Sequence, residues 1–360
     1  MNAAAETTER HPPEALRDFA ARIFAAAGME APKAAAMAEV LVEADLLGHT
    51  THGLALLGRY LDEIAAGHMA TGGMPEVLQD RGACVSWDGK RLPGMWLATE
   101  AISLALERVG TYGTVSIAIG NAHHLGCLAA YLPRVTERGC LLSIASSAPG
   151  VATVAPFGGR QGALSPAPVA FGFPTGGDPV LIDISASVTT NNMAARLVRE
   201  GRRYPHPWLL DAEGRPSDDP AVMGAGGTIL PAGGLDHGQK GYGWALIAEA
   251  LSQGLSGHGR AEGPSSMTNA AFIQVIDPSA FAGAAAFTRE ADAITANCRR
   301  SSPRPGFEAV RLPGESGLRH RAAGREGLRL YAGVLADLRA RAASLGVPVP
   351  AVLQPPGEAG

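Results

Sequence analysis

Charge is scarce in this chain of 360 residues: Asp, Glu, Lys and Arg make up 18% of it, and the formal net charge is −4. The basic residues are dispersed apart from runs at Arg196–Arg203 and Arg319–Arg329, so no nucleic-acid footprint is present and no nucleic-acid partner is expected. Cysteine is scarce too. Cys84, Cys127, Cys140 and Cys298 show neither a CxxC pair nor a Cys/His finger spacing, which fits reduced thiols in the cytoplasm and no bound metal. No stretch reads as a membrane span: Cys140–Gly159 lacks charge but contains Ser143, Ser146, Ser147, Pro149, Gly150 and Pro156, the pattern of a buried strand followed by a loop. The opening residues MNAAAETTERHPPE have no apolar core of a signal peptide and are expected to form a short disordered leader. There is no G-x-x-x-x-G-K-[ST], no early G-x-G-x-x-G after a strand and no internal repeat, so neither a P-loop nor a Rossmann site is supported.

Apolar residues are present in quantity, 46% of the chain, and the length implies more than one subdomain. Helical periodicity covers 14–27, a stretch opened by Pro32 with Met37, Val40, Leu41, Ala44 and Leu47 on one face, and about Leu54–Ala66. Further helices are expected at Leu97–Val109, Leu128–Glu137, Trp244–Leu255 (buried), Ala285–Arg299 and Gly327–Leu345. Strands are expected at Cys84–Trp87, Thr114–Ile119, Leu141–Ala145, Val169–Phe173, Val180–Ile184 and Phe272–Ile276. This interleaving gives an α/β fold, a sheet flanked by helices. The expected division is a helical subdomain at 14–70 packed with about 320–346, an α/β region at 75–315, and flexible tails at 1–13 and 347–360.

Gly48–Tyr60 (G-H-T-T-H-G-L-A-L-L-G-R-Y) is the most telling segment. If a helix restarts near Thr51, His52, Leu56 and Tyr60 share one face, and an imidazole and a phenol point into one space. Imidazole titrates near neutral pH and suits proton transfer, although a histidine on an apolar helix face is more often structural. A second pair, His123-His124, follows the strand Thr114–Ile119, and strand ends are where α/β proteins place their sites. Asp183 ends another strand, where a carboxylate can orient an imidazole or cap a turn. The glycine-rich segments Pro156–Gly159 and Gly238–Gly243 could approach a phosphate. The second carries Lys240 just before the expected helix.

Together these segments resemble the malate/L-lactate dehydrogenase family of the second type. Its A-D-x-x-G-x-x-[ST]-H-G…Y pattern matches Ala44, Asp45, Gly48, Thr51, His52, Gly53 and Tyr60. Its H-x-G step matches His124 and Gly126, its P-[WF]-G-G Pro156–Gly159, its D-[MI] Asp183-Ile184, its K-G-Y-G Lys240–Gly243, and its P-G-E Pro313–Glu315. The resemblance implies a non-Rossmann mixed sheet, an NAD or NADP cofactor, and a homodimer acting on a small molecule. It places His52 beside the nicotinamide, His124 as acid/base and Tyr60 in the substrate pocket. It gives Ser147, Asp183, Lys240, Gly241, Pro313, Gly314 and Glu315 to the cofactor. The implied activity is hydride transfer between nicotinamide and the α-carbon of a 2-hydroxy or 2-oxo acid or a cyclic imino acid. The alternative is a relative that binds a metabolite or partner without turnover.

Three positions depart from the pattern. Leu56 stands where the family has a carboxylate-binding arginine, Ser165–Pro168 replaces G-T-N-P, and Asn192-Met193 replaces Gly-Lys. Arg59 is the candidate substitute cation at the substrate site; three helical residues rotate it about 60° from Leu56, which favours its standing aside, in which case dicarboxylates are poor substrates and a larger, less charged or partly apolar acid is preferred. A metal-dependent hydrolase using His49, His52, His123 and His124 finds no Asp or Glu at ligand spacing in the sequence.

Overall fold

The computed structural model describes residues 9–263 and 267–354. Three helices begin the chain: α1 (Pro13–Ala26), α2 (Ala31–Leu46) and α3 (Leu57–Ala65). In α1 the apolar residues Leu16, Phe19, Ala20 and Ile23 recur at helical spacing and are all buried. The helix ends where Gly28 takes φ +90°, a conformation costly for a side chain. α2 is apolar almost all round and is correspondingly buried on most sides, against α1, α4 (Gly94–Tyr112) and α9 (Glu315–Gly324).

The main sheet has seven strands in the order β1-β2-β3-β10-β4-β5-β6. These are β1 (Glu76–Asp80), β2 (Cys84–Asp88), β3 (Thr114–Ala122), β4 (Leu141–Ser147), β5 (Val169–Phe173), β6 (Val180–Ile184) and β10 (Asn269–Ile276). Only β2 and β3 pair in parallel, through the α4 crossover, and every other pair is antiparallel. A dinucleotide fold of the Rossmann type needs a run of parallel strands with a switch point. This sheet has none, and the expected non-Rossmann mixed sheet is the fold observed.

Between β6 and β10 lie α6 (Asn191–Arg199), a small antiparallel sheet of β7 (Leu209–Leu210), β8 (Pro216–Ser217) and β9 (Thr228–Ile229), and α7 (Gly234–Glu249). The expected helix Leu128–Glu137 is a 3-10 turn, Leu128–Tyr131, followed by the short α5 (Leu132–Thr136), because Pro133 interrupts the hydrogen-bond ladder. After β10 come α8 (Ala284–Arg300), α9, and α10 (Val334–Ser344), which packs on α1 and α3.

Two expectations are corrected. The helix placed at Trp244–Leu255 starts ten residues earlier, at Gly234, and is not buried: Trp244, Leu246, Ile247 and Leu255 are each about half exposed. The described parts of the tails are docked. His11 is buried and exchanges two backbone hydrogen bonds with Leu328, and Leu353 is fully buried. Residues 1–8 and 355–360 lie outside the described residues.

One large apolar core joins α1, α2, both faces of α4 and the centre of the sheet with Leu328, Leu335 and Leu338 of the C-terminal region. The helical segment at 14–70 therefore has no core of its own. A second core gathers Ala145, Val154, Leu164, Leu197, Tyr204, Leu209, Ile229 and Ala248 around α6, α7 and the small sheet. A cleft runs where the two cores meet.

Candidate active site

The cleft is a cavity of about 550 Å³, a size usual for small-molecule sites. The first core contributes His49, His52, Leu56, Arg59, His124 and Cys127 to its wall. The second contributes Ser165–Pro168, Thr189–Met193 and Trp208.

The His49–Gly53 loop is held from below by Asp45. This buried carboxylate accepts the Leu54 N–H at 2.8 Å, and a Cβ on Gly53 would collide with it at 2.1 Å. Glycine at 53 is thus required by a close approach. Gly48, at φ +81°, ends α2, and His49 N–H returns to Ala44 O. The helix does not restart at Thr51. A 3-10 turn begins at Leu54 and α3 at Leu57, so His52 reaches the cavity from the loop, its Nδ1 2.9 Å from Thr51 Oγ1.

His124 comes from the loop after β3; Asn121, near the end of that strand, takes φ +49°, and His123 N–H is held by Leu92 O. The Tyr60 hydroxyl lies 2.7 Å from His124 Nδ1, and Gly126 N–H also points at Nδ1, from 3.3 Å. Both contacts engage Nδ1, which leaves Nε2 for a bound molecule. The His52 and His124 rings stack with centroids 6.2 Å apart. The two histidines singled out from sequence thus share one cleft.

Burial sets the protonation of this group. It holds His52 down at about 4, helped by the charges of His49 and Arg196. His124 is held well below the ordinary imidazole value, first by burial and then by His52, His123 and Arg59. Both imidazoles are therefore neutral at pH 7. Burial likewise raises the Tyr60 phenol, which stays protonated. His123 points away from the cavity toward Glu63, at 3.5 Å, and burial lowers it to about 4.

The remaining expected residues divide. Asp183 lines the cavity and accepts Ala129 N–H at 2.8 Å; burial raises its carboxyl. Arg59 lines the cavity beside Leu56, against the expectation that it stays out, and among the described residues no ion pair or hydrogen bond ties up its guanidinium. The 60° offset is harmless because the side chain is long and exposed and the cavity mouth is wide enough to span both positions.

Ser147 does not face the cavity. It is buried, with its hydroxyl 2.7 Å from Ser252 Oγ and accepting from Gln253 Nε2. Lys240 is exposed and lies within α7, not ahead of a helix as expected. The chain breaks helical geometry only at His237, one turn earlier. Gly241 packs where a Cβ would strike Ala232 N at 2.3 Å and Ala186 O at 2.6 Å. Pro313 and Gly314 belong to a second groove with Arg304, Phe307 and Arg311. There Pro313 O accepts Leu181 N–H, and Glu315 pairs with Arg299. The glycine-rich segments at 156–159 and 238–243 meet each other, because Gly238 leaves room for the Phe157 ring, but neither lines the cavity.

Sequence reasoning missed Cys127, Ser185, Thr189, Thr190, Asn191 and Trp208 as wall residues. The N-terminus of α6 opens onto the cavity, with Thr190 as its cap accepting Met193 N–H. The cap pattern Thr-Asn-Asn before an amphipathic stretch was the available signal. Sequence reasoning also found no carboxylate at metal-ligand spacing. The fold brings Asp183 within 4.8 Å of donor atoms on His49 and Cys127, a proximity no linear spacing could show.

A mixed sheet carrying a polar cleft between two cores, lined by two histidines and an arginine without an ion pair among the described residues, defines an α/β protein with a candidate small-molecule site. Comparison places it further. The family described as malate/L-lactate dehydrogenase matches residues 11–339. An L-lactate dehydrogenase of Cupriavidus necator is 30% identical over 343 residues, covering 93% of this chain and 97% of that one. The malate dehydrogenase structure from Entamoeba histolytica superposes with a TM-score of 0.90 over 96% of this chain and 100% of its own, at 22% identity, a likeness of fold. The Δ1-piperideine-2-carboxylate reductase structure from Pseudomonas syringae pvar. tomato gives 0.81 at 26% identity, over 93% and 100%. The chain belongs to the malate/L-lactate dehydrogenase family. Among the described residues no helix is long and apolar enough to cross a membrane.

Proposed function

We propose that this protein is an NAD(P)-dependent oxidoreductase of small 2-hydroxy or 2-oxo acids or cyclic imino acids, with His124 as its proton-transfer residue. The observation that carries this reading is the pair His52 and His124 in a cavity that also holds Arg59, with the buried Tyr60 behind His124. Those groups can bind a carboxylate and move a proton at its α-position.

The donors suit a nicotinamide nucleotide. Ser185, Thr189, Asn191 and Asn192 present hydroxyls and amides, and the N-terminus of α6 presents unpaired backbone N–H groups favourable to phosphate. The bound nucleotide supplies the hydride acceptor or donor. The protein's part is orientation and proton transfer. Arg59 anchors the substrate carboxylate at the cavity mouth. In the tautomer that keeps its proton on Nδ1 and donates it to the Tyr60 oxygen, His124 Nε2 takes the proton of the α-hydroxyl during oxidation and returns it in the reverse direction, while Tyr60 fixes the ring. His52 and the apolar Leu56 face the same space and exclude water from it.

Lowered imidazole values have a consequence for pH. A base whose pKa lies below 6.5 stays unprotonated until the pH falls below that value. For oxidation, kcat/KM is expected to be flat from about pH 6.5 upward and to fall on the acid side only. A pH profile with its acid limb centred above pH 6.5 would contradict the assignment of His124.

Lys240 stands on the exposed surface of α7, immediately before Gly241, which packs on Ala186 next to the wall residue Ser185. We assign it to the nucleotide phosphates where they leave the cavity. Lys240→Ala is expected to raise the nucleotide Kd at least about tenfold, about 1.4 kcal/mol, on calorimetric titration. An unchanged Kd makes it an ordinary surface lysine.

The exposed apolar row Leu235, Trp244, Ile247 and Leu255 on and after α7 supports association of two copies, since monomers rarely leave such a row in water. Light scattering is expected to give twice the chain mass of 36.9 kDa. A mass equal to one chain would refute the dimer. The experiment that tests the reading as a whole is a panel of 2-oxo and imino acids assayed with both reduced nucleotides. Turnover of at least one acid supports it, and nucleotide binding without any turnover rejects it.

A further inference from the structure

We propose that His49, Cys127 and Asp183, which converge in the wall of the cavity, form a binding site for a thiophilic divalent cation of the Zn²⁺ class. The three residues come from the loop after α2, the loop after β3 and the end of β6. Each offers one donor atom, and these atoms lie within 4.8 Å of one another. The Cys127 Sγ is 3.7 Å from Asp183 Oδ2. Zinc bonds of about 2.0–2.3 Å in tetrahedral geometry set ligand atoms roughly 3.3–3.7 Å apart. The sulfur and the carboxylate already meet that spacing, and a modest turn of the half-exposed His49 ring completes it.

The donor set chooses the ion. One sulfur, one nitrogen and a single oxygen are poor for Mg²⁺ or Ca²⁺, which take oxygen, and suited to Zn²⁺ or Co²⁺. Coordination breaks the Cys127 S–H bond, forms a metal–sulfur bond and releases one proton to solvent, with no change of oxidation state. A thiolate, a carboxylate and a divalent ion sum to zero charge, which makes burial of all three tolerable. The fold also leaves a need there: among the described residues no lysine or arginine pairs with Asp183, which lies in the cavity wall with the Cys127 thiol and the Leu128 and Ala129 backbone N–H groups as its hydrogen-bond partners.

Three protein ligands leave a fourth position open toward the cavity, as in metal sites that exchange their last ligand. An ion there takes space that a bound acid or nucleotide needs, so the site is inhibitory. That last point rests on the proposed dehydrogenase reading, whereas binding itself does not.

The test is titration of the full chain with Co²⁺, followed by optical spectroscopy, and with Zn²⁺ against a chromophoric chelator. One equivalent of Co²⁺ is expected to give a near-ultraviolet thiolate charge-transfer band and the intense visible bands of four-coordinate cobalt. Cys127→Ala abolishes the charge-transfer band. His49→Ala, on a half-exposed loop that tolerates the change, weakens Zn²⁺ binding at least tenfold. The double variant Cys84→Ser, Cys298→Ser, which removes the two exposed thiols, keeps the band. Absence of the band in wild-type protein, its persistence in Cys127→Ala, or its loss in the exposed-thiol variant overturns the proposal. Neither titration involves a nucleotide or an acid, so failure here leaves the dehydrogenase reading standing, and the reverse also holds.

Discussion

Replacing His124 with alanine is expected to lower kcat by about 10²–10⁴ with little change in nucleotide affinity. The His124 ring is fixed in orientation by the Tyr60 hydroxyl, 2.7 Å from its Nδ1. It is neutral at pH 7 because burial disfavours its charged form, so it can accept a proton from a bound alcohol without first losing one. His52 stacks on it but is held only by its neighbour Thr51. Tyr60→Phe separates orientation from proton transfer. It keeps the packing, removes the Nδ1 contact, and is expected to lower kcat by a smaller factor than His124→Ala. Single-turnover kinetics on both variants checks the order. An unchanged kcat in His124→Ala moves the proton-transfer role to His52.

Arg59→Leu is expected to reduce kcat/KM for every carboxylic acid substrate by roughly 10²–10³, about 3–4 kcal/mol, the cost of leaving a desolvated carboxylate without its cation. The structure reverses the sequence-based preference here. On helix phase alone Arg59 turns away from Leu56, which favoured a less charged or partly apolar acid. In the fold both line the same cavity, and the guanidinium has no competing ion pair among the described residues. Arg59→Lys is expected to recover only part of the loss, because an ammonium cannot grip a carboxylate through two parallel hydrogen bonds. Full activity of Arg59→Leu on 2-oxo acids would show that the carboxylate is bound elsewhere, with Arg196 on α6 as the next cation to test. Arg196 lies over the Tyr331 ring, donates to Thr50 Oγ1 and contributes to the lowered value of His52.

The two substitutions read different quantities. His124→Ala removes an interaction made at the reacting atoms and acts on kcat. Arg59→Leu removes substrate binding and acts on KM at least as much. A double variant whose losses do not add would indicate that Arg59 also sets the environment of His124, as its charge already helps to lower that imidazole.

Local pattern by itself determined much of this protein. The strands Val169–Phe173 and Val180–Ile184 have the bounds read from their apolar runs, and Thr114–Ile119 and Leu141–Ala145 each need only a few more residues. The helical segments at the N-terminus are legible for the same reason: side-chain period and the glycines that stop them are properties of neighbouring residues. The histidine pair His52 and His124 was also legible, because motif spacing carries it.

Tertiary structure alone decided the rest. That β10 lies at the centre of the sheet, between β3 and β4, follows from long-range pairing that no local period encodes. Trp244 and Ile247 sit on an exposed face although their sequence reads as buried, because burial depends on what packs opposite and not on apolarity alone. The Ser147 hydroxyl is held by two partners over a hundred residues away, Ser252 and Gln253. Arg59 and Leu56 line one cavity because the long arginine side chain spans their offset on the helix. His49, Cys127 and Asp183 became neighbours only when two loops met the end of β6. Sequence spacing fixes what lies on one face of one element, whereas a site assembled across elements exists only once the chain has closed on itself.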